Sequence, residues 1–305
     1  MNLVTRSDFD GLACATVLKE VGVIDTWTFV HPKDLQDGIV PVTEKDVLAN
    51  VPYVPGCGMW FDHHSSEKER LQEDTANHKG ETRMEKSTAR IVYEYYGGKE
   101  KMPHFEEMIS CVDNVDSALI GIDEILNPTG WILLGFIMDP RTGLGRFREF
   151  RISNYALMEK LIEECRTKDI SEILEDFDVK ERIEKYMEQS DLFKKMISEH
   201  SRTDGNAIIT DLRDVSPIYT GNRFMVYAIY PEQNISLWIV DGRNKQNVSI
   251  AMGHSILNRT SQTDVGSLML TYGGGGHRQV GTCQVPYHEC DNILKDLLKK
   301  IHSDG

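Results

Sequence analysis

Residues 59–64 of the chain are Met-Trp-Phe-Asp-His-His. The apolar half predicts a short buried strand, and the polar half places one carboxylate and two imidazoles at the point where that strand ends. A neutral imidazole is a good ligand for manganese or zinc, and a carboxylate can orient it. A solvated turn with two chance histidines is the alternative, and this stretch alone does not decide between them.

Two aspartates near the start of the chain lie in a similar position. Residues 2–5 are β-prone, residues 6–11 are polar, and residues 12–21 have the apolar spacing of a helix. The polar segment contains Asp8 and Asp10, which can supply hard oxygen ligands to a divalent cation. Capping of the following helix is the alternative role for these carboxylates.

The rest of the N-terminal half alternates between strand-like and helix-like runs. Trp27–Val30 and Val47–Ala49 predict short strands, and Ser87–Tyr96 has a helical period that two glycines end. Such alternation predicts an α/β fold with a mostly parallel sheet. Polar loops at the carboxyl ends of parallel strands are where ligands bind.

The length of 305 residues allows about two domains. We expect a larger N-terminal domain over residues 1–200, a linker at residues 201–206 and a smaller α/β domain over residues 207–305. Residues 201–205 are turn-rich, and several strand-like runs follow them, among them Phe224–Tyr230.

A glycine-rich motif lies in the second predicted domain. Residues 273–276 are four consecutive glycines, followed by His277 and Arg278. Backbone N–H groups in such a run can bind a phosphate or a carboxylate, and the two side chains add donors. A flexible turn is the alternative.

Two further segments carry weaker signals. Asp113 and Asp116 end an apolar stretch and could complete a metal cluster, although a polar helix end explains them as well. Residues 141–151 contain four arginines interleaved with two phenylalanines, which suits phosphates and stacked bases. A solvated face paired with acids is the alternative for this segment.

Composition and charge argue against several classes of protein. There are 34 Lys and Arg against 48 Asp and Glu, a formal net charge of −14, which disfavours stable binding of duplex DNA. The apolar run at residues 131–138 is too short to span a membrane, and we expect no signal peptide. The six cysteines form no C-x-x-C pair, so we expect reduced thiols and a cytoplasmic protein.

In this order, the motifs resemble those of the DHH phosphoesterase superfamily. Asp-x-Asp-Gly comes first, Asp-His-His follows some fifty residues later, and Gly-Gly-Gly-His lies near the C-terminus, as in the DHH-associated C-terminal domain. The chain looks most like the two-domain group of oligoribonucleases, nucleotide phosphatases and exopolyphosphatase-related proteins. The resemblance implies an N-terminal parallel-sheet DHH domain, a C-terminal α/β domain and an active site in the cleft between them.

The resemblance also implies roles in the catalytic domain. Asp8 and Asp10 match the first metal-binding motif, and His63 is the metal ligand of the Asp-His-His motif. Asp62 would orient His63, and His64 would face the scissile phosphate.

For the last metal-binding aspartate, Asp113 is preferred and Asp116 is the close alternative. In the second domain the resemblance implies substrate binding by the residues Gly274, Gly275, Gly276, His277 and Arg278. Arg259 is a further candidate there for a terminal phosphate or carboxylate.

One position departs from the family pattern with a consequence for the metal count. The bridging aspartate that ends the strand before the Asp-His-His strand is Asn50 in this sequence. A neutral amide bridges two cations poorly. Either Asp46 or His31 substitutes for it, or the site holds one metal, or the activity is weak.

The implied chemistry is hydrolysis of a phosphoester by a metal-activated water. We expect one or two Mn²⁺ ions, with Mg²⁺ or Co²⁺ as alternatives, and a small phosphorylated or short single-stranded nucleic-acid substrate. Oligoribonucleotides, pAp, cyclic dinucleotides and polyphosphate all remain open as substrates, and so does a homodimer. The alternatives are an exopolyphosphatase-like activity and a degenerate nucleotide-binding regulatory protein with little turnover.

Overall fold

The computed structural model describes residues 1–64 and 78–305, and it divides into two compact units. The first unit comprises Met1–Leu119 and Pro128–Tyr186, and the second comprises Ile120–Asn127 and Met187–Gly305. Each unit contains one described sheet flanked by helices. The predicted α/β class is therefore confirmed.

The sheet of the first unit is parallel throughout its described strands, in the order β2-β1-β3-β4-β5. Its strands are β1 (Asn2–Thr5), β2 (Thr26–Phe29), β3 (Asp46–Ala49), β4 (Met59–Asp62) and β5 (Lys79–Thr82). The central strands are nearly continuous apolar runs because helices cover both faces of such a sheet. The chain leaves β1 for β2 on one side and returns to β3 on the other, so the topological switch point lies between β1 and β3.

The helices vary from one turn to more than six turns. In chain order they are α1 (Phe9–Glu20), α2 (Pro32–Gln36), α3 (Thr88–Tyr95), α4 (Gly98–Lys101), α5 (Glu106–Asp116), α6 (Ile122–Leu126), α7 (Gly130–Met138), α8 (Asn154–Thr167), α9 (Ile170–Glu175), α10 (Phe177–His200), α11 (Met225–Ile229), α12 (Val265–Leu270) and α13 (Tyr287–Asp304). Helix α1 is buried along most of its length and contacts α3 and α8, which makes it the centre of the first core. Helix α7 contains the apolar run 131–138, and all of that run is buried.

Among the described helices, none has the length and apolar content needed to cross a membrane.

The sheet of the second unit has six described strands in the order β10-β11-β9-β8-β7-β6. They are β6 (Ser201–Asp204), β7 (Ala207–Asp211), β8 (Ile235–Asp241), β9 (Val248–His254), β10 (Gly275–His277) and β11 (Val280–Val285). Only the β7–β8 pair is parallel among these described strands. Buried and exposed residues alternate along β9 and β11, as expected for a sheet with one face on a core.

The compact units divide the chain at a different place from the predicted linker at residues 201–206. Ser201–Asp204 forms β6 and pairs with β7 through a tight turn in which Gly205 has a φ of 57°. The turn-rich composition therefore marks a hairpin. The division instead falls inside α10, between Tyr186 and Met187.

The strand predicted for Phe224–Tyr230 is wrong, because these residues form helix α11. The side chain of Asn222 accepts a hydrogen bond from the Phe224 amide at 2.9 Å, which starts the helical turn. A short apolar run has no periodicity that separates a buried helix from a buried strand.

Candidate metal centre

The carboxyl ends of β1, β3 and β4 bring three polar segments to one edge of the parallel sheet. Asp8 and Asp10 follow β1, Asn50 follows β3, and His63 and His64 follow β4. The strands are adjacent and in parallel register, so their ends meet. The candidate site therefore lies at the switch point, where open α/β sheets bind their ligands.

Asp10 is held by the N-terminus of another helix. Its carboxylate accepts hydrogen bonds from the amides of Ala89 at 2.7 Å and Thr88 at 3.1 Å, both in the first turn of α3. These amides have no partner inside their own helix. Burial, followed by the charges of Asp116 and Asp8, nevertheless raises the pKa of Asp10 well above its usual range. The helix fixes the carboxylate but does not neutralise it.

His63 presents a buried ring nitrogen to the same place. Its Nδ1 lies 3.1 Å from the carbonyl oxygen of Glu85, and since a carbonyl only accepts, Nδ1 carries a proton and the lone pair of the neutral ring is on Nε2. This Nε2 is buried and makes no hydrogen bond within the described residues, although it lies 3.2 Å from Asp116 Oδ2. A buried lone pair of this kind suits coordination to a metal.

Asp116, at the end of α5, completes the cluster. One ligand atom each of Asp10, His63 and Asp116 lies within 4.8 Å of the others. Burial raises the pKa of Asp116, and the charge of Asp8 adds to this, while His63 opposes it. Two carboxylates and one imidazole are a donor set for Mn²⁺ and similar divalent ions. The orphaned nitrogen and the unneutralised carboxylates both fit such a cation.

Asp8 and Asn50 lie beside this cluster, and a hydrogen bond joins their side chains. Asp8 caps α1 by accepting the Gly11 amide at 3.0 Å, and Asn50 Nδ2 donates to the same oxygen at 3.1 Å. Arg6 Nε lies 3.1 Å from the other oxygen of Asp8. Asn50 is buried and stands where the family pattern expects the bridging aspartate, but its amide hydrogen-bonds a carboxylate.

Neither suggested substitute for that bridging residue reaches the site. Asp46 lies at the beginning of β3, the opposite edge of the sheet, where its carboxylate accepts the Thr43 amide at 2.7 Å and Asn2 Nδ2 at 2.9 Å. His31 is exposed, and its Nδ1 caps α2 by accepting the Lys33 amide. Neither Asp46 nor His31 therefore supplies the carboxylate or imidazole that would take the place of the bridging aspartate.

Asp62 orients His64, whereas the sequence interpretation paired it with His63. The Asp62 Oδ1 atom lies 2.8 Å from His64 Nδ1, because residues two apart on an extended chain project to the same side. Burial lowers the pKa of His64, but the hydrogen bond and charge of Asp62 outweigh it, and the net shift is upward. The second oxygen of Asp62 is buried without a hydrogen bond among the described residues.

Asp113, the preferred candidate for the last ligand, is engaged elsewhere. Its Oδ1 accepts the Ser87 hydroxyl at 2.7 Å, and its Oδ2 accepts Arg90 Nε at 2.9 Å. A carboxylate satisfied by a hydroxyl and a guanidinium is neutralised inside the fold. The structure thus brings Asp116, and not Asp113, to Asp10 and His63.

Asp139, which the sequence interpretation did not single out, and Arg141, the first arginine of the segment that it proposed for phosphates, line the same cavity. Asp139 and Arg141 form its wall together with Asp8, Asp10 and Asp116. Arg141 Nε donates to Asp139 at 2.8 Å. Burial lowers the pKa of Arg141, but the charges of Asp139, Asp8 and Asp116 raise it overall. Nothing in the sequence distinguishes Arg141 from the other arginines of residues 141–151.

The glycine-rich motif of the second unit has a packing explanation. A Cβ atom would lie 2.0 Å from the Thr282 carbonyl at Gly274 and 2.2 Å from the Val280 carbonyl at Gly276, so both positions require glycine. Gly275 pairs with Thr282 in the β10–β11 hairpin.

The side chains at the end of this motif face solvent. His277 and Arg278 are exposed. Arg259 is exposed as well, and its Nε donates to the Ile256 carbonyl at 3.0 Å. These residues belong to the second unit.

Comparison with solved structures identifies similar proteins over the full length. The chain is 47% identical to a pGpG-specific phosphodiesterase from Vibrio cholerae, with a TM-score of 0.87 over 100% of this chain and 99% of that one. An exopolyphosphatase-related protein from Bacteroides fragilis shares the fold at 12% identity, with a TM-score of 0.53 over 98% of this chain and 91% of that one. The DHH domain of a member of the s1p family of ribosomal proteins also shares the fold at 12% identity, with a TM-score of 0.60 over 98% of this chain and 86% of that one.

Neither the protein-family models nor the curated proteins gave a match. The full-length likeness to the Vibrio phosphodiesterase is far above the identity that shows a fold alone. It agrees with the order of the motifs along the sequence and with the meeting of the Asp-x-Asp-Gly and Asp-His-His motifs at one edge of the parallel sheet. This chain belongs to the DHH superfamily of phosphoesterases.

Proposed function

We propose that this protein hydrolyses the phosphodiester bond of the linear dinucleotide pGpG and so releases two molecules of GMP. The substrate comes from the Vibrio relative, which matches this chain over its whole length. The reaction class rests on one observation, the meeting of Asp10, His63 and Asp116 at the end of the parallel sheet. A metal-dependent phosphoesterase acting on short nucleotides is the function that these residues support best.

Asp10, His63 and Asp116 would hold a divalent cation, and we propose Mn²⁺, with Mg²⁺ or Co²⁺ as alternatives. A cation in such a site lowers the pKa of a nearby water and offsets the charge that develops on the phosphate. We propose one ion, since both oxygens of Asp8 are already occupied by Asn50, Gly11 and Arg6.

His64 supplies the proton. Asp62 holds Nδ1, so Nε2 is the nitrogen available to the substrate, and the hydrogen bond and charge of Asp62 raise the pKa of His64 and so favour its protonated form. An Nε2–H group placed there donates to a phosphate oxygen or to the leaving 3′ oxygen as the bond breaks.

Arg141 supplies fixed positive charge on the phosphate side of the site. Its hydrogen bond with Asp139 sets the orientation of the guanidinium, which matches phosphate geometry. In the second unit we propose His277, Arg278 and Arg259, with the backbone of Gly274–Gly276, as binders of the distal part of the substrate. The six cysteines are all free, which is the basis for proposing a cytoplasmic location.

The test is hydrolysis of pGpG, pAp, a cyclic dinucleotide and polyphosphate by the purified protein with Mn²⁺ and with EDTA. We expect GMP from pGpG only when Mn²⁺ is present, and loss of that activity in Asp10→Ala and His63→Ala. The matched control is His104→Ala, which removes an exposed histidine of the same unit and should leave the rate unchanged.

Two outcomes would replace the proposal. Shortening of polyphosphate with pGpG left intact would establish the exopolyphosphatase-like alternative. Tight binding of pGpG without turnover under any metal would establish a regulatory nucleotide-binding protein.

A further inference from the structure

A second, larger cavity lies in the same unit as the metal centre. Its volume is about 430 Å³, within the range of about 300–1,000 Å³ that ligand pockets occupy. Asp139 lines both this cavity and the one that contains Asp10 and Asp116. Ser7, which precedes Asp8, is also part of its wall. A ligand anchored by its phosphate at the metal centre therefore has room for an adjoining group here.

Aromatic rings line the larger cavity. Phe147 and Phe150 are half-buried and meet edge to face with ring centroids 6.0 Å apart. Tyr155 is 59% exposed and stacks on Phe29 at 6.0 Å. Every nucleobase has a flat π-face that can stack on such rings. One exposed tyrosine and two half-buried phenylalanines around a cavity of this size suit a planar heterocycle.

Arg148 differs from its neighbours in the arginine-rich segment. The other arginines are engaged: Arg141 with Asp139, Arg146 with the Gly143 carbonyl, and Arg151 with Asp178. Arg148 lines the cavity, is exposed and has no hydrogen-bond or ion-pair partner within residues 1–64 and 78–305. Its guanidinium donors are therefore available to a ligand.

Asn154 adds a donor of fixed orientation. Buried Arg182 donates to Asn154 Oδ1 at 3.3 Å, so the amide oxygen is used and the Nδ2 group remains as the donor. This Nδ2 lies against Gly145, where a Cβ atom would come within 3.1 Å of it, and both residues line the cavity.

We infer that this cavity binds one guanine base of the dinucleotide, with the aromatic rings stacking on it and Arg148 and Asn154 donating to its O6 and N7 atoms. Guanine presents two adjacent acceptors on that edge, whereas adenine presents N7 beside an N–H donor. Two donors in the wall therefore favour guanine. This inference rests on the proposed function and names the residues that select its substrate.

The test compares kcat/KM for pGpG and pApA in wild type, Arg148→Met and the control Arg146→Met. We expect Arg148→Met to lower the pGpG to pApA ratio about tenfold to a hundredfold. Arg146→Met removes an exposed arginine two residues away and should leave the ratio unchanged. Tyr155→Ala should raise KM for both dinucleotides, because stacking is tolerant of base identity.

Calorimetric binding of GMP and AMP separates this inference from the proposed function. If wild type does not hydrolyse pGpG, the proposed function fails, but GMP binding that weakens in Arg148→Met still supports the guanine pocket. An unchanged pGpG to pApA ratio, or unchanged GMP affinity, in Arg148→Met would overturn the pocket even if pGpG hydrolysis is robust.

Discussion

The first unit contains two groups of carboxylates whose surroundings shift their pKa values in opposite directions. Asp178 is fully buried and accepts Arg151 Nε at 2.7 Å and Lys160 Nζ at 2.8 Å. Burial raises the pKa of Asp178, but these hydrogen bonds outweigh it and the net shift is downward. Asp10 and Asp116 lie beside other carboxylates, and the pKa of each is raised. The first group has its cations within the chain, and the second is the group that we propose binds one from outside.

This difference distinguishes the Asp178 cluster from the proposed metal centre without reference to motifs. Carboxylates kept close together against their own repulsion reduce the stability of the protein without its ligand, and active sites are where folds tolerate this. The predictions below test the contrast from its largest expected effect to its smallest.

The largest expected effect is a difference in kcat/KM between substitutions of Asp116 and of Asp113, which lies three residues earlier on the same helix. Asp116→Asn removes a proposed ligand and should lower kcat/KM with Mn²⁺ at least about a hundredfold, since loss of outer-sphere partners alone costs about 10–100-fold. Asp113→Asn leaves the metal cluster intact and should retain activity within a few-fold per folded molecule. Steady-state kinetics with thermal melts of both variants provide the measurement. The opposite order of activities would reinstate Asp113 as the ligand.

Stability without metal should move in opposite directions in the two clusters. In EDTA, Asp178→Asn should lower the free energy of unfolding by about 2 kcal/mol, less than for a fully buried pair because Arg151 is 60% exposed. Asp116→Asn relieves repulsion from Asp10 and places an amide donor 3.2 Å from the His63 lone pair, so it should raise that free energy by about 1 kcal/mol. Urea titrations at neutral pH measure both values.

The pH dependence of the same urea titrations checks independently the direction in which each variant changes the free energy of unfolding. The contribution of Asp178, whose pKa is lowered, is present above the unfolded value near 3.9 and is lost as pH falls through its folded pKa. The pKa of Asp116 is raised, so its contribution is greatest in acid and is lost as pH rises through its folded pKa. Asp178→Asn should therefore approach wild type in acid, and Asp116→Asn should gain over wild type as pH rises. If the free energy of unfolding of the two variants depended on pH in the same way, the proposed difference between the two carboxylate clusters would be contradicted.

The smallest effect concerns Asn50, which borders the metal cluster. Asn50→Asp removes the donor to Asp8 and adds a charge, so the protein in EDTA should lose about 1 kcal/mol, and Mn²⁺ should then stabilise it more than it stabilises wild type. Asn2→Asp is the matched control, since Asn2 also donates to a carboxylate, Asp46, at the far edge of the sheet. It should lose similar stability and gain no response to Mn²⁺. Equal responses in both variants would place Asn50 outside the site.

Local patterns predicted those parts of the fold in which sequence neighbours decide the structure. Strand β1 matches its predicted bounds, and β4 extends one residue beyond its apolar run because Asp62 still pairs with Thr82. Helix α11 was missed because its five residues carry no period. The predicted linker was a hairpin because a turn signal does not say whether the flanking chain joins a sheet.

The same distinction applies to the candidate site. Asp10 lies in the first turn of α1, shortly after β1, and His63 directly follows β4, so a linear motif was enough to propose them. The rotation of α5 decides between Asp113 and Asp116, and only the neighbours of that helix, Ser87 and Arg90 on one side and His63 on the other, reveal it. Likewise, no sequence pattern records that Arg141 lines the cavity of the metal cluster whereas Arg148 lines the larger cavity.

The backbone at Asn50 has an evolutionary consequence. Its φ of 57° lies in the left-handed region, which glycine, asparagine and aspartate enter far more readily than β-branched or bulky residues. Codons for asparagine and aspartate differ by a single nucleotide. A lineage can therefore exchange a neutral residue for an anionic one at the edge of the proposed metal centre in one mutational step, with no change required in the surrounding chain path.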